Sequence, residues 1–286
     1  MMSRRSANEA TESVRRGVTF ILAIQLITAL LVLSQSAHAD ELYRAQTIVT
    51  GQGEPNRGVG FAACLEDVLI KVSGGLQLAG DPRLLSYKAH AAEFVTGFDY
   101  HDQMSGTPKR DEQGTRDRPF DLIVDFDKAK IDDLLATFGL KPWLSHRPVL
   151  GVGVVMVPGG RSYVVMSDGR QSELQREALA AAAVKRGLTI VLPDDAALSQ
   201  ARSEPTGLAA AAPADFAPAL TRRGAEAILI GQLSWDDNAL GWSTEWRLDL
   251  NGQSHRWRFG GVTFDEAFRR GLGGAAQILS GNGEPH

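Results

Sequence analysis

The sequence predicts an α+β protein: two α/β-layered modules with mixed sheets, following a cleaved N-terminal signal peptide. Three observations carry this. A basic and then apolar leader opens the chain, period-two and three-to-four spacings then alternate through two stretches, and a polar segment with two prolines separates those stretches. The 286 residues are 43% apolar and 22% charged, the profile of a chain able to bury a core. A formal net charge of -4 without clustered Lys and Arg excludes a nucleic-acid binder, since a phosphate backbone demands such a cluster.

In the leader, Arg4, Arg5, Arg15 and Arg16 precede an apolar run from Val18 to Leu33. Ala37-His38-Ala39 then puts small residues where a signal peptidase reads, so residues 1–39 are expected to be removed before Asp40 and the protein to be periplasmic. Loss of four Arg and two Glu leaves 26 basic and 32 acidic residues, a mature net charge of -6 that repels anionic membranes. The competing reading is a retained anchor, because the 16-residue run falls just short of the about 18–20 needed to span a bilayer. Only in that case would the protein be membrane-bound. The single Cys64 cannot form an internal disulfide, and its apolar surroundings mark a buried, inert thiol.

The first module is expected over 40–145. Leu42 to Thr50 alternates as a strand, and 51–56 reads as a turn. Phe61, Leu65, Val68, Leu69 and Val72 repeat at three and four residues, predicting a helix that stops at Ser73-Gly74-Gly75. Asp81-Pro82 opens a second helix, and Glu93 to Tyr100 reads as a strand. Gln103 to Arg118 reads as a long solvated hairpin loop, and Pro119 to Phe126 as a strand antiparallel to 93–100. Lys128 to Phe138 is a short helix with Gly139 at its end.

The break at Lys141-Pro142-Trp143-Leu144-Ser145-His146-Arg147-Pro148 leads into a second module over 146–280. Val149 to Val157 is nearly continuous apolar, as in a strand buried on both faces. Ser172 to Arg186 is an Ala-rich helix, Leu188 to Leu192 a strand, Phe216 to Arg223 a helix and Ala225 to Leu233 a strand; 205–218 is a loop. Gly241 to Leu250 and Ser254 to Gly261 pair as a hairpin around Asn251-Gly252, a strong short turn signal. Phe264 to Leu279 closes the fold as a helix, and 281–286 is expected to be a disordered tail.

Val68-Leu69-Ile70-Lys71-Val72-Ser73-Gly74, with Leu42-Tyr43, Val124-Asp125-Phe126-Asp127, Leu134-Leu135, Gly139-Leu140, Pro142-Trp143 and Arg147-Pro148, resembles the bacterial family called domain of unknown function 2066. The resemblance spans roughly Leu42 to Val157 and brings no established activity or catalytic residues with it. Where that family has an Ala- and Leu-rich helix start, this chain has Gly58 and Gly60, which weaken a helix by about 1 kcal/mol each. The C-terminal half is similar to small mixed-sheet modules of envelope-assembly proteins, an analogy of fold alone.

No catalytic constellation emerges, so whether the protein is an enzyme stays open, with a non-catalytic role favoured. Gly58-Val59-Gly60-Phe61-Ala62-Ala63 spells a dinucleotide fingerprint, but seven residues including Pro55 separate it from the preceding strand, so no cofactor is expected. Gly151-Val152-Gly153 lies inside an apolar strand. His90, His101, His146, His255 and His286 are scattered, so no metal is expected, and no G-x-S-x-G nucleophile elbow occurs.

Four of five tryptophans fall between residues 235 and 257. Trp242 and Trp246 share strand parity, and two readings stand: burial beneath the closing helix, or an exposed aromatic face which, with Trp257, Arg256 and Arg258, would bind a partner. The function expected is an exported, non-catalytic binding or envelope-assembly module acting on an envelope protein or cell-wall material. The alternative is a periplasmic hydrolase whose site is assembled only by the fold.

Overall fold

Alternating burial at the two ends of the first module sets its sheet. In a computed structural model, residues 41–106, 110–111, 114–115, 118–194 and 216–285 are described. The signal peptide, its cleavage site and parts of the 103–118 and 205–218 loops lie outside them. Strand β1 (Arg44–Thr50) pairs antiparallel with β5 (Pro119–Phe126), which pairs antiparallel with β2 (Val95–Asp102). Ala45, Val49, Leu122, Val124 and Phe126 point to one face and are buried.

Helix α1 (Glu54–Ser73) covers that face. It starts inside the expected turn because Pro55 fits the first helical turn, where its missing N–H costs nothing. Gly74, at φ 75°, ends it. The two glycines that weaken its start differ in role. A Cβ at Gly60 would lie 2.9 Å from Val49 Cγ1 and closer still to Leu122, so Gly60 lets the helix approach the sheet. Gly58 is exposed and a Cβ there meets nothing. Gly58→Ala should therefore stabilise the protein by roughly 0.5–1 kcal/mol, while Gly60→Ala should cost about 1–3 kcal/mol by overpacking. Urea midpoints of the two variants check this, and shifts of the same sign would sink it.

Asp81 accepts from Arg83 N and caps a 3-10 turn (Pro82–Leu84) leading into α2 (Leu85–Ala89). A 3-10 turn over Ala91–Phe94 delays β2 to Val95. A small hairpin, β3 (Arg110–Asp111) with β4 (Gly114–Thr115), sits within the expected loop. Asp127 caps α3 (Lys128–Thr137), and Gly139 at φ 72° turns the chain away.

The second sheet takes β6 (Leu150–Val157), β7 (Tyr163–Val164), β8 (Ile190–Val191), β9 (Ala227–Asp236), β10 (Gly241–Leu250) and β11 (Gln253–Val262) in the order β11-β10-β9-β6-β7, with β8 also on β6. β6 is parallel to β8 and β9, and the remaining pairs are antiparallel. β7 is a strand the sequence pattern did not mark. Leu150 to Val154 are buried without interruption, as a strand covered on both faces requires. Helices α4 (Glu173–Arg186) and α6 (Phe264–Leu279) cover one face, packing on each other. Helix α5 (Ala217–Arg222), with Phe216, lies against the other face beside Gly151 and Gly153. Those glycines therefore serve close packing: a Cβ at Gly151 would lie 2.9 Å from Leu220 Cβ.

All strands of the three-stranded sheet come from 40–145 and all strands of the six-stranded sheet from 146–280, yet 43–286 cluster as one compact unit. Contacts across the boundary and along the connecting segment join them. Lys185 Nζ donates to Asp67 on α1 at 2.7 Å. Trp143 N donates to Val72 O at 2.8 Å. Arg147 donates to the carbonyls of Lys71, Val72, Trp143, Arg186 and Gly187 at 2.8–3.4 Å, and its guanidinium stacks 4.3 Å from the Trp143 ring centre. The last carbonyls of α1 and α4, which no helix of their own can satisfy, thus share one cation.

The tail expected to be disordered is tied down through residue 285. Asn282 Nδ2 donates to Ser73 O at 2.8 Å, Gln277 Nε2 donates to Glu284 O at 2.9 Å, and Pro285 is buried. Its polar residues supply partners for groups that α1 and α6 leave exposed at their ends, a contribution invisible to composition.

Candidate functional site

The hairpin β10–β11 concentrates the sequence-selected residues. Its turn has Asn251 at φ 52° and Gly252 at φ 77°, both left-handed, as a two-residue hairpin turn of the type that matches strand twist requires. The register runs Leu250↔Gln253, Leu248↔His255, Arg247↔Arg256, Trp246↔Trp257, Glu245↔Arg258 and Thr244↔Phe259. Alternation therefore separates two sets of side chains.

On the helix side, Trp246 and Trp257 are buried in the core under α6. Glycines carve the space for their rings. A Cβ at Gly231 would lie 2.5 Å from Trp246 Cζ3, and one at Gly271 would lie 2.8 Å from Trp246 Cδ2. A Cβ at Gly274 would lie 2.8 Å from Trp257 Cε2. Both indole N–H groups are buried without a hydrogen-bond partner among the described residues, so shape holds the rings in place. Trp242 is half-buried at the end of this row and packs edge-on against Trp235, ring centres 5.6 Å apart.

On the opposite face, Arg256 and Arg258 are exposed, their side chains 58% and 74% accessible. Both face one carboxylate, Glu245, at 3.9 and 3.5 Å, while Arg247 faces Asp249 at 3.2 Å. Five charges on this patch sum to +1 in a protein of net charge -4. The structure thus divides the sequence-selected set. Arg256 and Arg258 stand together on the outer face, whereas Trp246 and Trp257 form the support beneath and cannot offer their rings to a partner. Gly231, Gly271 and Gly274 escaped sequence reasoning. The available signal was a helix holding three glycines within 271–274, which a helix tolerates only where something packs closely.

The remaining candidates among the described residues are structurally occupied, and His286 lies outside those residues. Gly58, Gly60 and Ala63 lie inside α1, away from any strand-to-helix turn. Ser73 Oγ donates to Leu69 O at 2.7 Å and accepts from Gly75 N at 3.0 Å. Burial, reinforced by Asp67, pushes the Cys64 thiol up to about 12. His101, His146 and His255 each face one acid, Asp121, Glu226 and Glu284 respectively, and His90 caps Ser86 O. No three His, Cys, Asp or Glu converge among the described residues, and none of the described helices is long and apolar enough to cross a membrane.

Residues 36–144 match a family model described as a domain of unknown function (DUF8605). No curated protein matches the sequence. Among solved structures, the LpoB C-terminal domain from Salmonella enterica matches at 18% identity, covering 41% of this chain and 82% of that one, with a TM-score of 0.26. A crystal structure of an uncharacterized protein matches at 12% identity, covering 47% and 87%, with a TM-score of 0.19. At such scores neither likeness bears on fold or function.

Proposed function

We propose that the mature chain is a periplasmic, non-catalytic binding or envelope-assembly module that engages an envelope protein or cell-wall material through the outer face of β10–β11. The observation that carries this reading is the pair Arg256 and Arg258, exposed, sharing a single carboxylate, and displayed on a hairpin made rigid by buried Trp246 and Trp257. Exposed arginine on a pre-ordered surface is what a partner-binding patch needs, because little side-chain and backbone order remains to be lost on docking. Kinship with domain of unknown function 2066 belongs to the same proposal. Its support is the sequence motif alone, from Leu42-Tyr43 through Val68-Leu69-Ile70-Lys71-Val72-Ser73-Gly74 to Arg147-Pro148.

The test is the intact mass of the protein from the periplasmic fraction, combined with crosslinking of the native sequence and of an Arg256→Glu/Arg258→Glu variant. A mass beginning at Asp40 and a discrete crosslinked partner lost in the variant are the expected results. A full-length mass in the membrane fraction would replace this reading with an anchored protein, and crosslinks indifferent to the variant would move the contact elsewhere.

A further inference from the structure

Resting on that reading of the hairpin, we infer that the free edge of β11 accepts an added strand: an extended protein segment that alternates acidic and apolar residues.

β11 ends the six-stranded order, and among the described residues it pairs with β10 alone along its ten-residue length. The two-residue turn makes Leu250 and Gln253 a hydrogen-bonded pair, and antiparallel alternation then makes Leu248/His255 and Trp246/Trp257 hydrogen-bonded too. Between these pairs, Ser254, Arg256 and Arg258 direct their N–H and C=O groups away from β10. They are the residues whose main chain is offered at the free edge. The register stays regular through Thr244↔Phe259, so three consecutive donor and acceptor sets are presented in line.

The side chains at these positions set the partner's chemistry. In an added antiparallel strand, residues opposite Arg256 and Arg258 are two apart in sequence and fall on the same outer face, with Cα atoms about 5.5 Å away. Two guanidinium groups with only Glu245 between them favour carboxylates at those places. The intervening residues of the added strand fall on the helix side, beside half-buried Phe259, whose ring is stacked by Arg270 at 4.2 Å, so apolar side chains suit them. The tail meets this strand through Glu284 at His255, whose side chain points to the helix side and away from Arg256 and Arg258. Main-chain bonding at a sheet edge with alternate side chains giving specificity is an established way for proteins to capture extended segments. Charge on an edge strand also guards against self-pairing, and the two roles part in experiment.

The probe is a fluorescein-labelled, end-blocked peptide, Thr-Glu-Val-Glu-Val-Glu-Thr, titrated with the purified protein and followed by anisotropy. Saturable binding is expected, weakened about tenfold or more by Arg256→Glu/Arg258→Glu and regained by that variant with a Lys-for-Glu peptide. N-methylation of the glutamate amides, which removes the donors facing β11, should abolish binding. Unchanged tryptophan emission of the variant reports that its core is intact. Absence of saturable binding overturns the inference, as does binding that survives the double variant. Equal binding of the N-methylated peptide also overturns it, reducing the site to a charge patch. If native-protein crosslinks depend on the two arginines but the peptide does not bind, strand addition fails while the hairpin remains the contact surface. If the peptide binds but no arginine-dependent crosslink forms, the edge is competent and the periplasmic role is wrong.

Discussion

Arg147→Ala is expected to lower the melting temperature by about 6–12 °C, the equivalent of about 3 kcal/mol in a protein of this size. The variant removes the shared donor of five carbonyls belonging to α1, α4 and the connecting segment, together with the stacking on Trp143. Burial pulls the guanidinium down to about 10, with the nearby Tyr43 acting in the opposite direction, so the group is still protonated at neutral pH. Desolvating that charge is a cost the five acceptors offset. Without the side chain, carbonyls at two helix ends are left half-buried. Arg147→Lys should recover less than half of the loss, because one ammonium cannot fork toward two helix ends at once. Thermal unfolding followed by circular dichroism decides the matter, and an alanine variant melting within about 2 °C of the native protein would show that water replaces the side chain at no cost.

The second large effect is expected at Trp246. Trp246→Ala should cost about 3–5 kcal/mol by emptying a fully buried indole site. Gly271→Ala should cost about 1–3 kcal/mol, because its new methyl group enters the ring's space. The informative measurement is the cycle. In the Trp246→Ala background the Gly271→Ala substitution meets a cavity, so its cost should vanish or change sign, giving a coupling above about 1 kcal/mol. Additive urea-unfolding energies would mean that the glycine serves some purpose other than seating the ring.

Elements with their own period were legible in the sequence. Pro119–Phe126 and Phe264–Leu279 fall where alternation and helical spacing put them, and Asn251-Gly252 marked its turn because only residues tolerant of left-handed backbone fit there. What escaped was set by distant partners. β7 has two residues and no period to read, and it forms because β6 offers an edge. The tail carries no apolar pattern, but its Asn282 meets a carbonyl 209 residues away. For the candidate site, parity predicted that Trp242 and Trp246 share a face. Pairing Trp257 with Arg256 and Arg258 in one surface ran against the same parity rule, since neighbours in a strand point to opposite sides. Trp246 and Trp257 lie in the core, whereas Arg256 and Arg258 are exposed.

The bond from Asn282 to Ser73 also sets a schedule. A chain synthesised amino end first delivers the first helix early, but the carbonyl of Ser73, whose side chain is wholly enclosed, must wait for residue 282. Contacts of such long separation are the slowest to close, because the loop entropy must be overcome before the contact returns anything. The last turn of that helix is therefore finished only when the whole protein has arrived. Until then that carbonyl lacks its partner, and a truncation of five residues at the far end, which removes Asn282, would leave it so.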